Sequence, residues 1–136
     1  MEMDENRKRD KIEEIEKYME ELEPILPTSF EDYKIDLKIR AICERYFEKI
    51  VEAVVDLAFV LIKEKKLKIP KEDEQSFEIL KNANIISENL AKRLRDAKGM
   101  RNIITHEYGK VDDELVFHAV TKELIWDVRE FLKSLH

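Results

Sequence analysis

Four side chains with chemical potential fall within eight residues: Arg101, Asn102, His106 and Tyr108. An arginine offers a planar fork that makes two charge-assisted hydrogen bonds to a phosphate. A histidine titrates near neutral pH, so it can take or give a proton at working pH. Asn102 can orient a phosphate or the histidine. The rest of the chain is mostly Leu, Ile, Val, Glu and Lys at helical spacing, and a plain helical bundle does not need this mixture.

Arg101 is physically out of place. With about 100° per residue, Leu90, Leu94, Ala97 and Ile104 form one apolar stripe and Arg101 falls in its middle. A guanidinium there is costly unless it is paired or faces a wet groove. His106 lies about 140° round from it on an ideal helix. The two converge on one ligand only if the helix ends or unwinds between them, or if a second subunit completes the site. Gly109 is a plausible stop signal just beyond.

The segment Arg101-x4-His106-x-Tyr108 resembles the Arg-x4-His-x-Tyr signature of the HepT-like branch of the HEPN superfamily. Its framing is similar too: Leu94-Arg95 and Gly99-Met100 before it, Val111-Asp112 after it, and Glu44-Arg45-Tyr46, Glu52-Ala53 and Asp56-Leu57-Ala58 earlier. The resemblance covers roughly Asp36 to Phe131. It implies a metal-independent ribonuclease toxin in which the RNA 2′-hydroxyl attacks its own phosphodiester. Arg101 and His106 would be catalytic and Asn102 would assist. The family also implies a two-fold homodimer with a composite site, and an MntA-like nucleotidyltransferase antitoxin that silences the toxin by AMPylation of Tyr108. The implied fold is an all-α, HEPN-type, up-and-down bundle.

Each residue also has a plainer reading. Arg101 could bridge to Asp56 or Glu52 inside the bundle. His106 could be a dipole-compensating cap and Tyr108 an aromatic packed over a loop. Two function classes compete with the nuclease: a non-catalytic helical partner of a minimal nucleotidyltransferase, and a purely structural oligomer.

The elements that must position these residues are helices. In 136 residues there are only 2 Gly and 3 Pro, with 43% hydrophobic and 41% charged side chains. That length suits one domain with one core, spanning 1–136 with residues 1–9 frayed. The net charge of −6 argues against a generic nucleic-acid coat but allows a local basic groove. Cys43 is alone, so no intrachain disulfide forms and a reducing compartment is the default. No apolar run reaches the roughly 20 residues of a membrane span, and the N-terminal residues lack a secretory h-region. A soluble cytoplasmic protein is expected. His106, His118 and His136 are widely spaced, with no His-x3-His or Cys-x2-Cys pair, and no Gly-rich phosphate loop is present. Neither a metal nor a cofactor is expected.

About five helices are expected. The first runs over 2–23 and stops at Pro24 and Pro27. The second, capped by Thr28 or Ser29, runs from Phe30 to about Lys65, with Ile35, Ile39, Ile42, Tyr46 and Ile50 among one face. Lys63 to Lys68 reads as a solvated turn. A short helix follows over 72–82. Ser87 caps the fourth helix, and Asp112 caps a fifth that carries Leu115, Val116, Val120, Trp126 and Phe131 to the end. Gly99 costs about 1 kcal/mol in a helix interior, and close approach of a symmetry-related backbone would explain it.

Overall fold

The structure is a computed structural model that describes residues 2–106 and 111–135, with side chains from residue 5. Seven α-helices follow one another among the described residues: α1 (Glu2–Leu22), α2 (Phe30–Ile35), α3 (Leu37–Glu64), α4 (Gln75–Asn82), α5 (Glu88–His106), α6 (Asp113–His118) and α7 (Leu124–Lys133). A 3-10 turn at Glu23–Ile25 follows α1, and a π-helical turn at Ala119–Glu123 joins α6 to α7. The all-α expectation holds.

α3 is the axis. Its 28 residues span about 42 Å. Phe47, Ile50, Val54, Leu57, Leu61 and Ile62 bury its inner faces. α1 runs antiparallel to it, bringing Ile15, Met19 and Leu22 into the core. Ion pairs from Lys8 to Glu64 and from Lys11 to Asp56 fix that register. α5 packs on another side of α3 through Leu90, Ala91, Leu94 and Ile104. α7 closes over α5 with Val128, Phe131 and Leu132. Burial of this kind contributes roughly 1.5–3 kcal/mol per large apolar side chain, so core burial dominates the stability.

Local chemistry sets most boundaries. Ser29 caps α2, its hydroxyl accepting from the Asp32 amide at 3.2 Å. Ser87 caps α5 by accepting from the Leu90 amide at 3.0 Å. Asp112 caps α6 by accepting from Glu114 and Leu115. α3 ends in a left-handed residue, Lys66 (φ 57°), which lets the Leu67 amide reach back to the Ile62 carbonyl at 2.9 Å.

The second helix is not continuous. Asp36, at φ −108° and ψ 99°, interrupts it and caps α3, its carboxylate accepting from the Lys38 and Ile39 amides. The apolar face expected through this region is therefore partly wrong: Ile35 is 80% exposed and Ile42 lies at the surface. The short helix begins at Gln75, after a turn through Glu72 and Asp73. In the last stretch Leu115 and Trp126 also face outward. The π turn accounts for the phase at Trp126, downstream of it, and the Thr121 hydroxyl assists the turn by donating to the Phe117 carbonyl at 2.6 Å.

Candidate functional site

α5 carries the site. It begins at a serine cap and continues as regular helix through Arg101, Asn102 and His106. It neither ends nor unwinds between Arg101 and His106, which removes the way they could meet within one chain.

Arg101 turns inward, towards α3. Its side chain is 18% exposed, with Nη2 3.7 Å from the Glu52 carboxylate. Nη1 donates to the Asn102 side-chain oxygen at 3.4 Å. Nε is buried and has no acceptor among the described residues. The bridge to Glu52 weighed from the sequence is thus present, but it is long and Glu52 is 59% exposed on its other side. Exposed ion pairs of this geometry contribute little, about 0–1 kcal/mol. The guanidinium is held at the edge of the core without being consumed. Asp56, the other candidate partner, is taken by Lys11 at 3.1 Å.

Asn102 and His106 are exposed. His106 is the last residue of α5. Tyr108 lies outside the described residues. The structure therefore brings Arg101 and Asn102 into contact and leaves His106 at the solvent end of the same helix. Ile103 is 39% exposed on the outer face, and a Cβ built at Gly99, one turn earlier, meets nothing within 4 Å. No packing among the described residues requires glycine there.

One pair was not found from the sequence. Thr105 donates its hydroxyl to Glu48 on α3 at 3.0 Å. Glu48 is largely buried, and Arg45 approaches the same oxygen at 3.9 Å. The available signal was spacing: Glu48 and Glu52 lie four apart on α3, as Arg101 and Thr105 do on α5.

Cys43 is fully buried, and burial pushes its thiol up to about 11, which fits a core residue. His118 is exposed on α6, 3.9 Å from Glu123. Among the described residues no three His, Cys, Asp or Glu side chains gather to hold a metal ion. No described helix is long and apolar enough to cross a membrane.

A long central helix flanked by antiparallel neighbours, with the arginine and histidine near the end of α5, defines a HEPN-type bundle. Two solved structures share it closely. A toxin–antitoxin crystal structure with AMP-PNP matches with a TM-score of 0.87 and 22% identity, over 96% of this chain and 97% of that one. The tri-AMPylated HEPN toxin of Shewanella oneidensis, solved in complex with its MNT antitoxin, matches at 0.87 and 23%, over 95% and 96%. The family model for HepT-like ribonucleases matches residues 15–135. The chain belongs to the HepT-like ribonuclease family. Among characterised relatives, the mRNA nuclease HepT of Shewanella oneidensis is 31% identical over 57% of this chain and 58% of its own length. A putative RNase of Archaeoglobus fulgidus is 31% identical over 77% of this chain and 80% of its own. The tRNA nuclease HepT of Aphanizomenon flos-aquae is 27% identical over 82% and 76%.

Proposed function

We propose that this protein is the metal-independent endoribonuclease toxin of a HepT/MntA-type toxin–antitoxin pair, acting in the cytoplasm as a homodimer. The observation that carries the reading is the half-engaged Arg101, seated beside Asn102 on α5 with His106 closing the same helix, in a chain of the HepT-like family. Among the described residues, a phosphodiester that reached Arg101 would compete with two long contacts, to Glu52 and to Asn102. Its two non-bridging oxygens match the guanidinium fork.

In the reaction, one His106 takes the proton of the 2′-hydroxyl. The oxygen attacks phosphorus, the bond to the 5′-oxygen breaks, and a second His106 returns a proton to that leaving group. The products are a 2′,3′-cyclic phosphate and a 5′-hydroxyl. Arg101 holds the charge that builds on the phosphoryl oxygens, and Asn102 orients it. Two histidines are needed at one bond, and Arg101 and His106 face different ways along an unbroken helix. Two-fold pairing of α5 supplies both, and the open space over Gly99 supports a close helix–helix approach there. Control falls to Tyr108. An antitoxin nucleotidyltransferase would transfer AMP from ATP to its phenolic oxygen, releasing pyrophosphate. The added phosphate would put bulk and negative charge two residues from His106.

His106→Ala in a folded dimer is expected to abolish cleavage of single-stranded RNA, and wild-type cleavage should survive EDTA. Normal cleavage by the variant would end the catalytic assignment. Coexpression with an MntA-like nucleotidyltransferase should add AMP-sized mass increments that disappear in Tyr108→Phe, as read by intact-mass spectrometry. The competing reading, a non-catalytic partner of a nucleotidyltransferase, draws on the Arg101–Glu52 contact. It predicts no EDTA-resistant cleavage at all.

A further inference from the structure

Two contacts tie α5 to α3 in strict antiparallel register: Arg101 to Glu52 and, one turn later, Thr105 to Glu48. Four residues forward on α5 match four residues back on α3. The first contact is long and exposed. The second is a 3.0 Å hydrogen bond to a carboxylate that is 19% exposed. It sits at the residue next to His106.

Packing holds this turn loosely: of residues 103–106, Ile103 and His106 are exposed and only Ile104 is in the core. Among the described residues, Thr105 supplies the polar link between this turn and the central helix. A threonine does this well, because its branched Cβ restricts χ1 and aims the hydroxyl. Glu48 is in turn steadied by Arg45 at 3.9 Å.

We propose that Thr105 and Glu48 are positioning residues for His106. Their hydrogen bond locks the turn of α5 at residues 103–106 onto α3 and so fixes the direction from which the imidazole meets the scissile bond. Neither touches substrate. This inference rests on the catalytic role given to His106 above, and small misplacements of a catalytic group are costly in kcat rather than in binding.

Thr105→Val keeps the shape and removes the donor, whereas Thr105→Ser keeps the donor. Thr105→Val is expected to lower kcat for RNA cleavage roughly ten- to a hundredfold with KM within about twofold. Thr105→Ser should restore most of the rate. Glu48→Ala should match Thr105→Val, and the double variant should be no worse than either single one. Amide hydrogen exchange in residues 103–106 should quicken in Thr105→Val and remain slow in Thr105→Ser, while exchange in α3 stays unchanged. Exchange is measured without substrate, so it tests the tether even if the wild-type protein proves inactive on RNA. Equal kinetics for the Val and Ser variants, or unaltered exchange in residues 103–106, would overturn the proposal.

Discussion

Arg101 keeps one nitrogen, Nε, sealed from solvent without an acceptor among the described residues, and places another 3.7 Å from an exposed carboxylate. A buried, unpaired N–H costs on the order of 1–3 kcal/mol. A residue selected only for stability would not stand this way. Arg101→Met is therefore expected to fold at least as well as wild type, with stability unchanged or raised by about 1 kcal/mol in thermal unfolding. The same variant should lose RNA cleavage. A large drop in Tm would mean that the Glu52 pair is structural after all. At this scale the sequence was informative. A cation on an apolar stripe is anomalous whatever surrounds it, and Glu52 was already one of two candidate partners. The link between Thr105 and Glu48 was illegible because either residue alone is ordinary on a helix surface. Only the register between α3 and α5 makes them a pair.

Among the elements, caps were legible and the break at Asp36 was not. Ser87 and Asp112 stand directly before their helices with acidic residues in the first turn, as the side-chain acceptors of exposed N–H groups should. Asp36 has the same chemistry. It was masked because apolar residues continue through Ile35, Leu37 and Ile39, so the helical period runs on across the interruption. Two of those three, Ile35 and Leu37, turn out to be exposed. Asp36→Ala removes the acceptor for two amides of α3, and a loss of about 1 kcal/mol in denaturant unfolding is expected. Asp36→Asn or Asp36→Ser should recover most of it. A neutral Asp36→Ala would show that packing of the long helix alone fixes where it begins.

For the whole molecule, the decisive position is Gly99. A methyl group there meets nothing within 4 Å among the described residues, and alanine favours helix over glycine by about 1 kcal/mol. Gly99→Ala should therefore stabilise an isolated protomer. If α5 meets its symmetry mate at this point, bulk at Gly99 must cost association. Gly99→Leu is expected to shift the protein from dimer to monomer in sedimentation velocity and to remove cleavage, with its helical circular dichroism intact. A fully dimeric Gly99→Leu would place the interface elsewhere. The helical class and the central long helix could be read from composition and period because burial needs only one chain. Assembly left a single trace, a glycine with no reason of its own inside a helix.

The wide turn at Ala119–Glu123 has a consequence for which changes the chain can tolerate. A π turn holds one residue more than an α turn would. Deleting a single residue there would let α6 and α7 wind as one regular rod with the faces on either side still in phase, because the turn already absorbs the extra residue. Val128 and Phe131, now fully enclosed, would stay on the same side as Val116. A deletion within Leu124–Lys133 has no such slack, and would swing every later side chain round by about 100°. Loss of one codon should therefore be far less damaging at Ala119–Glu123 than inside the final helix, as thermal unfolding of the two deletion variants would show.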